Sequence, residues 1–331
     1  MKQMFSTTNT FKRLANHIRM CGELACLLEV SATPKPGNVH RFQDFAEIRY
    51  EDFLASSVSL GVWLEELAMK GLLLKDDKIS WQQIELGKTI KEAVKQSNFF
   101  HQRSNTNLGI ILLLSPLSVA AGLTVLEEEP NCNHDLLQKN ALEVMKNTTV
   151  EDAIFVSEAI ASVSPGGLGK VDQYDVTESS LEEELRSDDV NLLKLMDICQ
   201  ERDSICFELA LGYPITINTG LAALKWSLSI RNDINLAIID AYLAILSNYP
   251  DTLVKRKFGD EIAQRISKRA SDIVNVGGAL TLEGRRELEE LDIELREAEE
   301  KINPGTTADI IASTIFVYLL SGGKLGDEKI E

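Results

Sequence analysis

Hydrophobic periodicity constrains the fold of this sequence more than any other feature. Apolar residues recur at three- and four-residue steps along most of the chain, and convincing two-residue alternation is nearly absent. Because a half-buried strand needs that alternation, the pattern predicts helices rather than sheet. An aromatic content of 6% favours the same conclusion, since strands draw on aromatic and β-branched side chains. We therefore predict an all-α fold, a compact multi-helix bundle with a buried central helix.

The same periodicity predicts where the helices lie. The first ends near Ser31, the second runs from about Tyr50 to Leu74, and the third from Trp81 to about Gln96. Further helical patterns occupy about 134–147, 150–163, 189–211, 215–231, 234–248, 257–276, 281–301 and 306–321. Residues 164–180 are rich in Gly, Asp and Ser and are predicted to form a long loop. We predict one helical domain over residues 1–331; a domain boundary at this loop is the alternative.

An uncharged segment, Ser104–Leu126, is the candidate for the central helix. It includes five consecutive apolar residues, Ile110–Leu114, but Asn105, Asn107 and Pro116 interrupt its apolar character. A buried helix that is kinked or split at Pro116 is therefore favoured over a membrane span. The amino-terminal residues lack the continuous apolar stretch of a signal peptide. These features predict a soluble, cytoplasmic protein with no membrane partner.

Charge and cysteine content exclude several classes of protein. The chain has 34 Lys and Arg against 51 Asp and Glu, a net charge of −17. A surface of this sign repels phosphate backbones, so no nucleic-acid partner is expected. An anionic small molecule would need a local cluster of cations, amides or magnesium. The five cysteines show no zinc-ligand spacing and are predicted to be free, mostly buried thiols: Cys21, Cys26, Cys132, Cys199 and Cys206.

A first polar motif, Thr33–Asn38, directly follows the first predicted helix. Two prolines hold the chain extended around Lys35, and Gly37 can adopt a positive φ that brings backbone amides close to a ligand. A fixed cation beside free amides suits a phosphate group. Lys35, Gly37 and Asn38 are therefore candidate phosphate-binding residues. A helix stop followed by a turn is the structural alternative.

Two further motifs open predicted buried helices. Asn105, Thr106 and Asn107 either cap orphan N–H groups or bind a nucleotide, because polar groups beside a buried helix need partners. Thr306 and Asp309 fit a capping box at the last helix. The functional alternative places Asp309 at the polar rim of that helix, where its carboxylate could hold Mg²⁺.

A fourth motif, Tyr249–Lys257, is weaker. Asp251 is a candidate helix cap, and Lys255, Arg256 and Lys257 form a cationic cluster that suits an anionic ligand. Helix N-termini attract phosphate through unsatisfied amides and the helix dipole. If these helix starts converge, they would form a triphosphate site.

Three segments resemble the signatures of the triphosphoribosyl-dephospho-CoA synthase family. Glu29–Val39 is similar to its amino-terminal signature, and Asn105–Gly109, with Ala120–Gly122 closing that helix, is similar to its central one. Asn303–Ala312 resembles its carboxy-terminal Pro-Gly-x-x-Ala-Asp signature. The motifs occur in the family's order and together span most of the chain.

The resemblance implies an all-α pentosyltransferase. In that family ATP loses adenine, and its triphosphorylated ribose is joined to a hydroxyl of 3′-dephospho-CoA or a related coenzyme precursor. By this resemblance Lys35 and the amides of Gly37 and Asn38 would bind phosphate, and Asn105 and Asn107 would orient ribose or base. Thr106, between them, and Lys255, in the cationic cluster, are further candidate nucleotide- or phosphate-binding residues. Asp251 and Asp309 would be catalytic and would carry Mg²⁺, the expected cofactor. The partners would be ATP and dephospho-CoA, with a homodimer as one possible assembly.

The chain also departs from the family pattern. His40 stands where an acidic residue is usual, and Asn107 stands where a histidine is usual. The segments Gly166–Asp172 and Glu201–Ser204 are similar to a divergent, archaeal-like branch. Two other functions remain open: another nucleotide or coenzyme-precursor enzyme on the same scaffold, and a non-catalytic helical binding protein.

Overall fold

Helices account for the regular structure of this protein. A computed structural model describes residues 2–97, 99, 106–126 and 131–326, with the side chains of residues 2–8 excepted. Within these ranges it contains fifteen α-helices and no strand beyond an isolated bridge between His40 and Gln43. The all-α prediction is confirmed.

The helices lie close to the predicted positions. They are α1 (Lys2–Ser31), α2 (Tyr50–Lys75), α3 (Leu86–Ser97), α4 (Leu108–Thr124), α5 (His134–Lys146), α6 (Val150–Val163), α7 (Leu181–Ser187), α8 (Leu192–Cys199), α9 (Ser204–Leu211), α10 (Ala222–Ile230), α11 (Ile234–Asn248), α12 (Thr252–Phe258), α13 (Asp260–Asn275), α14 (Leu282–Glu297) and α15 (Gly305–Leu320). A π-helical segment, Ile215–Leu221, precedes α10. The single helix predicted over 189–211 is wrong, because a turn at 200–203 separates α8 from α9. The single helix predicted from Trp81 to about Gln96 is also wrong, because a 3₁₀ turn, Trp81–Ile84, is separated from α3 by the left-handed conformation of Glu85.

Helix α4 is the buried central helix. Every residue from Leu108 to Gly122 is buried, which is why this segment contains no charge. It crosses α2 closely, since a Cβ on Gly122 would lie 2.3 Å from the Ala68 carbonyl oxygen. Of the two alternatives predicted at Pro116, a kink or a split, the split is wrong, because α4 continues through this residue. The hydroxyl of the adjacent Ser115 donates to the Ile111 carbonyl of the preceding turn at 2.6 Å.

The buried apolar side chains form one continuous cluster that reaches from Phe11 in α1 to Leu320 in α15. The two terminal helices pack against each other, and α1 also packs against α2 and α4. The single-domain organisation stays a prediction, and this continuous core is consistent with it. Residues 164–180 connect α6 to α7 without any helix.

No single helix in the described ranges has the length and apolar character needed to cross a membrane. Only a bent pair, Ser204–Leu211 with Ile215–Ile230, meets that test jointly, and its two parts lie at 106° to each other.

Two of the five cysteines are joined in a disulfide, so the prediction of free thiols is wrong for Cys199 and Cys206. The turn between α8 and α9 brings their Cα atoms to 5.8 Å, within bridging distance. Cys21, Cys26 and Cys132 are free and buried, as predicted.

A buried carboxylate stabilises the junction between α9 and the π-helical segment. Glu208 is fully buried and accepts hydrogen bonds from the backbone N–H groups of Ile215 at 2.6 Å and Thr216 at 2.9 Å. These bonds satisfy donors at a helix start that would otherwise be unpaired in the core. Burial outweighs them and raises the pKa of Glu208 to about 7.

We therefore expect Glu208 to make stability depend on pH. Because its pKa is raised on folding, its contribution is complete below its unfolded value and is lost as the pH rises through about 7. We compare the free energies of unfolding of the wild type and Glu208→Gln. The difference, wild type minus variant, should decrease by roughly a few kcal/mol between pH 4.5 and 7.5. Urea titrations of both proteins at several pH values measure this difference. A difference that does not change with pH would contradict the assignment.

Candidate active site

A cavity of about 990 Å³ opens among helix starts and the loop at 164–176. This volume lies at the upper end of the range typical of small-molecule sites. One part of its wall is apolar, with Phe45, Ile48, Phe53, Leu112, Leu195 and Met196. Its polar lining includes Glu29, Lys35, Asn38, Thr106, Asp203, Arg256, Thr306 and Asp309. Residues from all four polar motifs singled out in the sequence therefore meet around one space.

Lys35 is a buried cation that is already partnered. Its side chain is 1% exposed, forms an ion pair with Glu29 and donates to the Glu29 backbone carbonyl at 2.7 Å. Burial raises the pKa of Glu29 and lowers the pKa of Lys35, and the attraction between the two charges opposes both shifts. A buried pair of this kind is stable only while both partners are present.

The loop that carries Lys35 is fixed by α11 and α14. Asn235 of α11 donates to the Thr33 carbonyl at 2.7 Å, and the N–H of Gly37 donates to Asp292 of α14 at 2.8 Å. Asn38 donates to the buried Tyr242 hydroxyl at 2.9 Å. Each anchor lies more than 190 residues away in sequence. The loop is therefore a fixed wall of the cavity.

Asp251 joins two helix starts. One carboxylate oxygen accepts from the Val254 N–H at 3.0 Å and caps α12. The other accepts from the N–H and the hydroxyl of Thr307, at 2.7 and 2.8 Å, at the start of α15. Thr252 adds a third helix start, because its hydroxyl accepts from the Ser204 N–H of α9 at 3.1 Å. The predicted capping role of Asp251 is confirmed.

Asp309 lies in the second turn of α15 and faces the cavity and the start of α4. A Cβ on Gly109 would lie 2.1 Å from an Asp309 carboxylate oxygen, so a larger residue at position 109 would displace this carboxyl group. Burial, followed by repulsion from Glu29, Asp251 and Asp203, raises the pKa of Asp309 well above its usual range. A carboxyl group with a raised pKa beside a cavity is a candidate to exchange a proton with a bound ligand.

The structure separates the predicted site residues into two groups. Lys35, Asn38, Thr106 and Asp309 line the cavity. The others do not line it. Gly37 packs against Ile302 and Pro304, and Asn107 bonds to Ser56. Asp251 caps two helices, and Lys255 pairs with Asp260 at 3.0 Å. Asn105 lies outside the described residues.

The capping box predicted for α15 is wrong. Its cap position is Pro304, no side chain caps the helix at that position, and Asp309 faces the cavity instead.

Two acidic cavity residues were not predicted as site residues: Glu29, which holds Lys35, and Asp203, which accepts from Arg256 at 2.5 Å. Arg256 and Lys257 belong to the predicted cationic cluster, but only Lys255 of that cluster was predicted to bind phosphate. The spacing along α12 could have shown which cations face the cavity. Arg256 and Lys257 lie three and four residues after Leu253, on one helical face, and all three residues line the cavity. Lys255 falls on the opposite face.

The residues that line the cavity do not form a protein-only magnesium site. Within the described ranges, no three Asp, Glu, His or Cys side chains are arranged to hold a metal ion. Both oxygens of Asp251 are engaged by hydrogen bonds, so Asp251 does not fit the role of metal ligand predicted for it. Asp309 is the one predicted metal ligand that faces the cavity.

Comparisons with known proteins agree on one family. A family model described as CitG, ATP:dephospho-CoA triphosphoribosyl transferase, matches residues 15–327. Proteins from Pseudomonas fluorescens and Azotobacter vinelandii are 34% identical over 112 residues and 36% identical over 106 residues. Both are named probable 2-(5″-triphosphoribosyl)-3′-dephosphocoenzyme-A synthase. The aligned segments cover 34% and 32% of this chain, and 38% and 36% of those relatives.

A solved structure from Archaeoglobus fulgidus is also similar. It is provisionally assigned as a triphosphoribosyl-dephospho-CoA synthase and superimposes with a TM-score of 0.60 at 26% identity. The superposition covers 82% of this chain and 100% of that one. The likeness therefore extends over most of the helical fold.

Gly37 offers a test of how rigid the cavity wall is. Its φ is +70°, and a Cβ would lie 2.5 Å from the Ile302 carbonyl oxygen. We expect Gly37→Ala to lower the free energy of unfolding by about 3 kcal/mol or more, because backbone strain and a clash add. The matched control is Gly169→Ala, with φ +62° and open space around it, where strain alone costs about 1 kcal/mol. If urea titrations show the same decrease in the free energy of unfolding for both variants, the packing described for the loop is contradicted.

Proposed function

The chain belongs to the ATP:dephospho-CoA triphosphoribosyl transferase family, and we propose that it transfers the triphosphoribosyl group of ATP to 3′-dephospho-CoA with release of adenine. The observation that carries this proposal is the position of Asp309. Its half-buried carboxyl group faces a cavity large enough for a nucleotide and much of a second substrate. A non-catalytic binding protein has no need for a carboxyl group with so strongly raised a pKa at this place.

The proposed chemistry exchanges one bond at C1′ of the ribose. The bond from C1′ to the adenine nitrogen breaks, and a bond forms from C1′ to the acceptor hydroxyl oxygen. Asp309 in its acid form donates a proton to the departing adenine, and the carboxylate that results faces the positive charge that develops on the sugar. This carboxylate then takes the proton of the acceptor hydroxyl, which returns Asp309 to its acid form. The proton count balances over one turnover.

The other cavity residues would position the substrates. Glu29 and Lys35 keep the wall near Asp309 polar, and their charges influence the pKa of its carboxyl group in opposite directions. The Asn38 side chain is held by Tyr242, so its role is to fix the loop rather than to move with a ligand. Thr106 and Thr306 are buried hydroxyl-bearing residues beside the two helix starts. The apolar wall suits a base or an aliphatic arm.

We expect Asp309→Asn to lower the rate of adenine release about 100-fold or more, because loss of a general acid and base typically costs that much. Its free energy of unfolding at pH 8 should be equal to or higher than that of the wild type, since a carboxyl group whose ionised form is disfavoured by burial has been removed. Chromatography of reactions that contain ATP and dephospho-CoA measures adenine, and mass spectrometry identifies the product.

The control for this variant is Asp260→Asn, which removes an exposed carboxylate that pairs with Lys255 outside the cavity. It should leave adenine release unchanged. Turnover of Asp309→Asn close to that of the wild type would remove Asp309 from the mechanism.

We propose that the reaction needs magnesium because Mg²⁺ binds the phosphates of the substrate, and not because the protein alone holds a metal ion. Mg²⁺ commonly binds nucleotides through phosphate oxygens with one or two carboxylates and several waters. We expect EDTA to abolish adenine release and added Mg²⁺ to restore it. Full activity in EDTA would contradict this part of the proposal. A homodimer and a cytoplasmic location stay predictions.

A further inference from the structure

The predicted phosphate ligand, Lys35, does not account for how a triphosphate would be held. Its ammonium group is buried and already bonded to Glu29. A triphosphate needs several cations that a ligand can reach, arranged around its oxygens. The cavity has other cations, on three separate segments of its lining: Lys170, Arg202, Arg256 and Lys257. Of these, Arg256 is paired with Asp203, and its side chain remains 19% exposed.

We infer that these four residues, together with the backbone of Gly166–Gly169, form the binding site for the triphosphate. We refer to this set as the basic rim. The identity of the anion rests on the proposed function; the existence of a polyphosphate site does not. The inference moves the phosphate-binding role from Lys35 and Lys255 to residues on the loop, the α8–α9 turn and α12.

Glycines bring the loop and the cations of α12 together. A Cβ on Gly166 would lie 2.3 Å from Lys257 Cε, and one on Gly167 would lie 3.0 Å from Arg256 Cβ. Gly167 also has a φ of +73°, a conformation that favours glycine. At position 167 the backbone conformation therefore favours glycine, whereas at position 166 the end of the Lys257 side chain would have to move to admit a Cβ.

The third segment of the rim is the turn between α8 and α9. Its Arg202 reaches the Leu168 carbonyl at 3.5 Å, so the loop lies between this turn and α12. The Cys199–Cys206 disulfide closes the turn, and both sulfur-bearing residues line the cavity. Arg202 is thus held on a short covalent loop rather than on a free segment.

Charge is also distributed unusually around the cavity. Its lining has five basic and five acidic side chains, so their formal charges cancel, whereas the whole chain carries −17. Two acids near the rim are already engaged: Asp203 by Arg256 at 2.5 Å, and Asp175 by donors of its own turn, Val171 and Thr177. The rim is therefore less negative than the rest of the protein, as anion binding requires.

Within the described residues, Lys257 takes part in no ion pair, and Lys170 makes only a surface pair with Glu178 at 3.3 Å. That pair is 86% and 53% exposed, so solvent screens it strongly and a phosphate can replace it. Both lysines are thus available to an anionic ligand. Lys255, by contrast, is already paired with Asp260 on the far face of α12.

The test uses inorganic tripolyphosphate and the full chain, with affinity measured by isothermal titration calorimetry. We expect Lys257→Gln and Arg202→Ala each to weaken tripolyphosphate binding about 10-fold or more, as loss of a charge-assisted contact does. Lys257→Gln keeps a long side chain against Gly166, so the packing of the loop is preserved. The matched control is Lys255→Gln, two residues away on the same helix, which should change the affinity less than 2-fold.

Three outcomes are distinguishable. Loss of tripolyphosphate binding in Lys257→Gln but not in Lys255→Gln, with tripolyphosphate competing against ATP, supports the basic rim. Equal effects of the two variants, or no competition with ATP, overturns it. If the rim variants behave as expected but the wild type releases no adenine from ATP and dephospho-CoA, the rim stands and the proposed transfer reaction fails.

Discussion

The hydrogen bonds of Asp251 are the interaction on which the geometry of the cavity depends. They join the start of α12 to the start of α15, and Thr252 extends the same network to α9. A buried carboxyl group is costly unless several donors surround it, so this arrangement cannot be loosened without leaving polar groups unsatisfied. It places Asp309 on one wall of the cavity and Arg256 and Lys257 on another.

Much of this arrangement could be predicted because it is encoded locally. Periodicity located most helices, and the lack of charge in α4 revealed its burial before any contact was known. The motifs at 33–38, 106–109 and 303–309 contain residues that meet at the cavity, because conformations that expose backbone amides at helix starts need Gly, Pro and small polar residues. Residue types thus predicted which segments contribute to the candidate site, but not that these segments would converge.

The direction in which each side chain faces was not predictable in the same way. Lys35 is bonded to Glu29 because α1 ends between them and the loop turns back. The sequence of the six residues from Glu29 to Lys35 does not specify this geometry. Asp251 and Lys255 face away from the cavity, although their neighbours Leu253 and Lys257 line it. The Cys199–Cys206 disulfide depends on the turn between α8 and α9, which periodicity had treated as continuous helix.

Helices from both ends of the chain build the cavity. α1 and α15 pack against each other, and α4, α9 and α12 complete the walls. A partly folded molecule in which either terminal helix has detached therefore possesses no binding site. Ligands bound there stabilise only the fully assembled chain, so they suppress global unfolding and any partial opening that frees α1 or α15. Fraying of a peripheral helix such as α7 would be insensitive to them. Occupancy of the cavity by a ligand would thus report the integrity of the whole fold.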